Sequence, residues 1–169
     1  MSSWLRRRRS AEEAGLKQGF ALGGYDYSCQ EEGRAVDIRT NEGGDSDICR
    51  ITLTVKAPRG PQARFAATPS GFLNTDLGAL LLGLPKLPGV PDHLKGFMAR
   101  GGPLGEAMEA LRRTGAVSLL VAQGWSLRRV GYRPGVLDVE AQRGSFQTSE
   151  ESLETLRGVG LALARDLES

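Results

Sequence analysis

The chain has 169 residues, of which 40% are hydrophobic and 25% charged, and a formal net charge of +2. This length and composition suit one globular domain. Four consecutive arginines at positions 6–9 supply more than the whole net charge, so the rest of the chain carries more acidic than basic residues. The charge therefore excludes a uniformly basic nucleic-acid-binding domain, in which positive charge would cover a whole face.

Residues 1–18 are predicted to form a basic N-terminal arm on a single α+β domain at residues 19–169. We expect the first ten residues to be disordered or ordered only by a partner. The arginine run resembles the start of a secretory signal, but the polar segment 10–14 stands where an apolar stretch should follow. No segment reaches the roughly 18 apolar residues of a membrane-spanning helix. The expected location is therefore cytoplasmic.

Residues 20–70 have the patterns of β-strands. The clearest strand places Ile51, Leu53 and Val55 on one side and polar residues on the other. This period of two is typical of an antiparallel sheet with one buried and one wet face. Further strands are expected at residues 19–22, 25–29, 34–39 and 64–68.

The middle of the chain carries two helix patterns around a connector rich in proline and glycine. Asn74 is predicted to cap a helix that ends at Pro85, and residues 96–100 are expected to form a short edge strand. Pro103 suits the start of a second helix, and Gly115 suits its end.

The last third is predicted to contain a three-stranded meander and a helix. Strands are expected at residues 117–122, 125–132 and 136–141. A capping box at residues 148–151 indicates the start of the last helix, and Gly160 in its apolar stripe predicts close approach to a neighbouring element. The fold class is therefore α+β, with one or two antiparallel sheets from two β-meanders and about three helices packed on one face.

Catalytic, cofactor and metal motifs are missing from the sequence. No glycine-rich phosphate loop is present, and nothing pairs His93, the single histidine, with an activated serine or cysteine. Cys29 and Cys49 with one histidine are too few ligands for a structural zinc site, and a cytoplasmic setting favours reduced thiols over a disulfide. The sequence therefore predicts that the protein binds no cofactor and is not an enzyme. An enzyme built from scattered carboxylates is a minor alternative.

Charge is segregated along the chain, with an acidic region between Asp26 and Asp47 and a basic region between Lys95 and Arg133. Such regions are suited to docking with a partner or to packing on each other, although an ordinary solvated surface is favoured over either interpretation. The N-terminal arm has three interpretations: contact with an anionic membrane surface, nonspecific phosphate binding to nucleic acid, and a docking or solubilising tail. The residues expected to make interactions are Trp4, Leu5, Arg6, Arg7, Arg8, Arg9, Arg112, Arg113, Arg128 and Arg129.

The chain loosely resembles uncharacterised bacterial α+β domains that have a basic N-terminal arm. The segments that carry this resemblance are residues 4–9, 33–36, 96–102, 117–141 and 153–167. The resemblance implies no activity. The element order is also similar to that of small secretion-chaperone-like α+β proteins, which bind other proteins.

These observations predict a non-enzymatic cytoplasmic accessory or adaptor protein that acts through protein–protein interaction. The alternative is a protein that binds a membrane surface or nucleic acid nonspecifically through the four arginines of the arm.

Overall fold

The computed structural model describes residues 3–21, 24–41, 48–70, 83–144 and 149–169. In chain order the helices and strands are α1 Ser3–Glu13, β1 Lys17–Ala21, β2 Gly24–Glu31, β3 Arg34–Thr40, β4 Cys49–Lys56, β5 Arg64–Pro69, β6 Phe97–Gly102, α2 Leu104–Arg112, α3 Ser118–Ala122, β7 Ser126–Arg133, β8 Val136–Arg143 and α4 Glu150–Glu168. Short 3-10 turns occupy Asp92–Leu94 and Gly115–Val117.

The eight strands form one antiparallel sheet in the order β1-β2-β3-β4-β8-β7-β5-β6. The first four strands are a meander, and the β7–β8 hairpin joins it by pairing β8 with β4. The outer edge of β6 is bordered by residues 85–87, since the backbone N–H of Leu87 donates to Ala99 and that of Gly101 donates to Pro85. The antiparallel α+β fold is therefore confirmed, with both sets of strands in a single sheet.

One face of the sheet is apolar and packs against the helices. In β4, Ile51, Leu53 and Val55 are buried, as their alternation predicted. The large side chains that are fully buried come from both the sheet and the helices: Tyr27, Ile38, Ile51, Leu53, Leu94, Leu111, Leu120, Leu137, Leu153, Leu156, Leu163 and Leu167. The core therefore lies between this face and the helix layer.

Two glycines show how closely the helices approach this face. A Cβ atom on Gly160 of α4 would lie 2.5 Å from Cγ1 of Val36 in β3, so the predicted close approach is present. A Cβ atom on Gly101 of β6 would lie 3.1 Å from the Cβ of Ala107 in α2. The side chain of Val36 and the Cβ position of Gly101 are both on the buried face of the sheet. Helices α2 and α4 therefore lie on the same face.

The start of the last helix is confirmed, with its cap one residue later than expected. Ser149 is the N-cap, and its hydroxyl accepts a hydrogen bond of 3.1 Å from the backbone N–H of Ser152. Ser152 in turn accepts from the backbone N–H of Ser149 at 2.9 Å, so a serine replaces the glutamate of the usual box.

The strand predicted at residues 117–122 is wrong. These residues form the end of a 3-10 turn and helix α3, in which Val117 and Leu120 are buried while Leu119 and Val121 are exposed. Buried residues three apart fit a helix, and a short, mostly apolar segment does not distinguish helix from strand. The second half therefore supplies a hairpin rather than a three-stranded meander. The helix predicted from Asn74 lies outside the described residues.

Residues 3–13, within the predicted arm, form helix α1. Ala11 is fully buried in the main core, together with Ala14 and Leu16 just after the helix. Strand β1 begins at Lys17, inside the expected arm. None of the described helices is long and apolar enough to cross a membrane.

Candidate functional site

The second face of the sheet, which we call the open face, carries no helix among the described residues. Strand register places eight basic side chains on it: Lys17, Arg39, Arg50, Lys56, Arg64, Arg100, Arg129 and Arg133. It places four acidic side chains there: Asp26, Asp37, Asp138 and Glu140. The described part of this face is therefore net positive, although the whole chain is close to neutral.

Several of these charges form ion pairs across neighbouring strands. Nε of Arg39 in β3 lies 3.0 Å from Oδ1 of Asp26 in β2. Nη1 of Arg133 in β7 lies 3.4 Å from Oδ2 of Asp138 in β8, whose other oxygen accepts a hydrogen bond of 2.7 Å from Thr54. Both arginines are largely exposed, and ion pairs of this kind contribute at most about 1 kcal/mol each. A partner that offered better acceptors could replace them at little cost.

A depression of about 430 Å³ on this face, which we call the basic depression, lies where β4, β5, β7 and β8 run side by side. Its polar and charged lining residues are Arg50, Thr52, Thr68, Arg128, Arg129, Glu140 and Gln142. The described lining therefore contains three arginines and one carboxylate, that of Glu140. Nη1 of Arg129 lies 3.7 Å from Oε1 of Glu140, which is longer than a direct hydrogen bond.

A β-bulge in β7 places Arg128 and Arg129 in the same depression. The register between β7 and β8 shifts between Leu127 and Arg129, so Arg128 is the extra residue. In a regular strand two consecutive side chains point to opposite faces, and Arg128 would then face the core. The bulge instead lets both arginines line one depression.

A second depression on the open face, of about 530 Å³, lies over β1 to β4. Its charged lining residues are Lys17, Asp26, Asp37, Arg39 and Lys56. Acidic and basic groups are nearly balanced there, whereas the basic depression has three arginines and one glutamate.

The arginines of the arm that the structure describes already have partners within the chain. The guanidinium of Arg7 lies 4.5 Å from the ring centre of Tyr25, which is a cation–π contact. Arg8 and Arg9 form salt bridges of 2.9 Å and 2.8 Å with Glu12 and Glu13, one helical turn ahead. The side chains of three further interaction candidates lie outside the described part of the chain: Trp4, Leu5 and Arg6.

Arg112 and Arg113 make their contacts with other residues of the helix layer. Both contact Glu109, at 3.4 Å and 3.1 Å, and Arg113 also donates to the backbone carbonyl of Leu167 at 3.1 Å. Since α1 contacts β1 and α2 contacts β6, the two sets of helix arginines lie at opposite edges of the sheet. Among the predicted residues whose side chains the structure describes, Arg128 and Arg129 line the basic depression together with Arg50, and Arg7, Arg8, Arg9, Arg112 and Arg113 do not.

Sequence reasoning missed Arg50 and the neutral donors beside it. Arg50 opposes Gln142, and Thr52 opposes Glu140, through the β4–β8 pairing. The alternation of β4 put Arg50 on the polar side, but it did not show which strand would lie next to it.

His93 and the cysteines have structural surroundings. Nε2 of His93 lies 2.9 Å from the hydroxyl of the buried Thr114, which donates to the carbonyl of Leu111 at 2.7 Å, and burial lowers the pKa of His93. Burial raises the pKa of the half-buried Cys29 thiol, which reduces its reactivity at neutral pH. Cys49 is buried, and the two cysteines are not joined by a disulfide. Within the described ranges, no group of three His, Cys, Asp or Glu residues is arranged to hold a metal ion.

Comparison with solved structures finds the same fold in a crystal structure of the mycobacterial trehalose monomycolate transport factor A, TtfA. The TM-score is 0.55 at 12% sequence identity, and the match covers 96% of this chain and 93% of that chain. No protein-family model and no curated protein matches the sequence. At this identity the likeness establishes the fold alone.

Proposed function

We propose that the chain is a non-enzymatic accessory protein that acts by binding another protein, and that the open face makes this contact. The observation that carries the proposal is the excess of basic over acidic side chains on a sheet face that no described helix covers. A sheet with one buried face tolerates a polar second face in water. An excess of one sign of charge on that face is an additional feature, and complementary charge both steers and orients protein partners.

The arginines of the open face favour a protein, rather than another class of molecule, as the partner. Arginine is enriched in protein interfaces, where its planar guanidinium makes several hydrogen bonds at once. The acidic residues interspersed on the open face, such as Asp37 and Asp138, would repel a continuous phosphate backbone but suit a partner of mixed charge.

The likeness to TtfA supports an accessory role in transport. That protein is named as a transport factor, and its structure shares the fold over nearly its full length. We infer an accessory subunit of a transport apparatus, and we expect it to act in the cytoplasm as the sequence predicts.

The contacts of α1 weaken the case for the arm as a phosphate-binding tail. Arg8 and Arg9 hold Glu12 and Glu13, which lowers the net positive charge offered to a membrane or to nucleic acid. Binding through the arm is therefore the outcome that would oppose the proposal.

Affinity capture from native lysate tests the proposal. The bait proteins are the full chain, the open-face variants Arg39→Glu and Arg64→Glu, and the control Arg165→Glu on an exposed position of α4. We expect one partner to be retained by the full chain and by Arg165→Glu and to be depleted with both open-face variants. Equal capture by all four baits, or loss only when residues 1–10 are deleted, would contradict the proposal.

A further inference from the structure

We propose that the basic depression binds the side-chain carboxylates of an acidic segment in the partner protein. This inference rests on the proposed function, because it names the part of the open face that recognises the partner and the chemistry that the partner supplies.

The positions of the three arginines favour a carboxylate ligand. Arg128 and Arg129 are adjacent in the bulge of β7, and Arg50 approaches from β4 on the far side of β8. Guanidinium groups bind planar carboxylates through two parallel hydrogen bonds, and such charge-assisted bonds are shorter than 3 Å. Nη1 of Arg129 and Oε1 of Glu140 are 3.7 Å apart, which is longer than bonds of this kind.

The neutral groups in the lining complete the recognition of an anion. Thr52 and Thr68 carry hydroxyls, and Gln142 carries an amide, so each can donate a hydrogen bond. These side chains flank Arg129 and Glu140 along neighbouring strands. Donors therefore surround the place where a carboxylate would bind.

Glu140 and the exposure of the site identify a peptide as the ligand. One carboxylate within the depression disfavours densely charged groups such as a nucleic-acid backbone more than it disfavours single carboxylates. The side chain of Arg129 is 42% exposed, so a small free acid would be held weakly there. Several carboxylates on one segment bind more strongly, because the neighbouring open face is also net positive.

The test measures the binding of a fluorescein-labelled hexaglutamate peptide by fluorescence anisotropy at low salt. The comparison probes are a labelled hexaglutamine peptide and a labelled single-stranded DNA. We expect the full chain to bind hexaglutamate, to ignore hexaglutamine, and to lose affinity as NaCl rises from about 20 to about 200 mM. Stronger binding of DNA than of hexaglutamate at the same arginines would overturn the inference.

Variants assign the binding to the depression. The double variant Arg128→Gln, Arg129→Gln is expected to weaken hexaglutamate binding at least about fivefold, and Arg64→Gln, elsewhere on the open face, by less than about twofold. Because a change in a bulge can disturb β7, Arg50→Gln provides an independent test from β4, with circular dichroism as the folding control. Unchanged affinity in the folded Arg50→Gln and double variants would overturn the inference.

The same variants separate this inference from the proposed function. If the double variant still captures the partner at full strength, the partner binds the open face elsewhere and the inference fails alone. If hexaglutamate binds through the depression but no partner depends on the open face, the acidic-segment site stands and the proposed function fails.

Discussion

Glu168, near the end of α4, accepts a hydrogen bond of 2.7 Å from Nε of Arg34, the first residue of β3. It also accepts one of 3.2 Å from the backbone N–H of Arg59, which follows β4. The Glu168 side chain is 3% exposed, so its charge is held by these partners rather than by water. One carboxylate therefore ties the end of the last helix to the strands at the centre of the sheet.

Replacing this carboxylate tests its contribution to stability. Burial alone would raise the pKa of Glu168, but the hydrogen bonds from Arg34 and Arg59 and their charges lower it overall. Glu168→Gln is expected to reduce the free energy of unfolding by about 1–3 kcal/mol at pH 7, because a charged acceptor of two hydrogen bonds is lost. Urea denaturation measures the change, with Glu154→Gln on the exposed side of α4 as the control.

The pH dependence of this difference gives a second check. A carboxyl group whose folded-state pKa is lowered stabilises the fold above its unfolded pKa of about 4.3, and this stabilisation disappears as the pH falls through the lower folded-state pKa. The difference in unfolding free energy between wild type and Glu168→Gln should therefore become smaller as the pH is lowered from 7 through this range. A difference that stays constant with pH would show that the charge of Glu168 does not cause the stabilisation.

A pair of glycines in α4 tests the packing of the helix on the sheet. Gly160→Ala would place a Cβ against Val36, so we expect it to destabilise the protein by about 1–3 kcal/mol despite the higher helix propensity of alanine. Gly158 is exposed and has no atom within 4 Å of its Cβ position, so Gly158→Ala should stabilise by about 0.5–1 kcal/mol. Thermal unfolding of both variants measures the contrast, and two shifts of the same sign would contradict this packing.

The corrected assignment of α3 makes a prediction that separates helix from strand. In a strand Val117 and Leu119 would share a face, whereas in the structure Val117 and Leu120 are buried and Leu119 is 48% exposed. Leu120→Ala is expected to cost about 2–5 kcal/mol of unfolding free energy, and Leu119→Ala about 0.5 kcal/mol or less. Denaturant unfolding of the two variants measures this, and a larger cost at Leu119 would favour the strand.

Local patterns predicted much of the fold. The alternation from Ile51 to Val55 fixes one face of β4 toward the core, and the stripe from Leu153 to Leu167 does the same for α4. The strand prediction for the segment that contains Leu119 failed because Ser118 is the only polar residue at positions 117–122, and one polar residue is too little contrast to define a period. In that segment only tertiary packing decides which side chains are buried.

The candidate site was less predictable because it depends on pairings between distant segments. Arg50 joins Arg128 and Arg129 only through the order β4-β8-β7, and no local pattern indicates that β8 lies between the other two. The bulge is equally hidden, since nothing in the residues of β7 marks Arg128 as the extra one. Arg8 and Arg9 of the predicted arm lie on α1, where they pair with Glu12 and Glu13 one turn ahead, and they do not line the basic depression.

The distribution of lysines allows the partner contact to be mapped directly. The chain has four lysines, all exposed, and Lys17 and Lys56 lie on the open face. Lys95 follows the turn whose His93 contacts Thr114 after α2, so this turn lies beside the helix layer. In a complex purified with its partner, Lys17 and Lys56 should lose reactivity toward acetic anhydride several-fold relative to the free protein, while Lys95 keeps its reactivity.

Peptide mass spectrometry reads out the reactivity of each lysine separately. Protection of Lys95 with full reactivity at Lys17 and Lys56 would place the partner on the helix layer and contradict the open-face contact. Because acetylation removes the lysine charge, treatment of the free protein before mixing should also weaken capture, and added partner should prevent that loss.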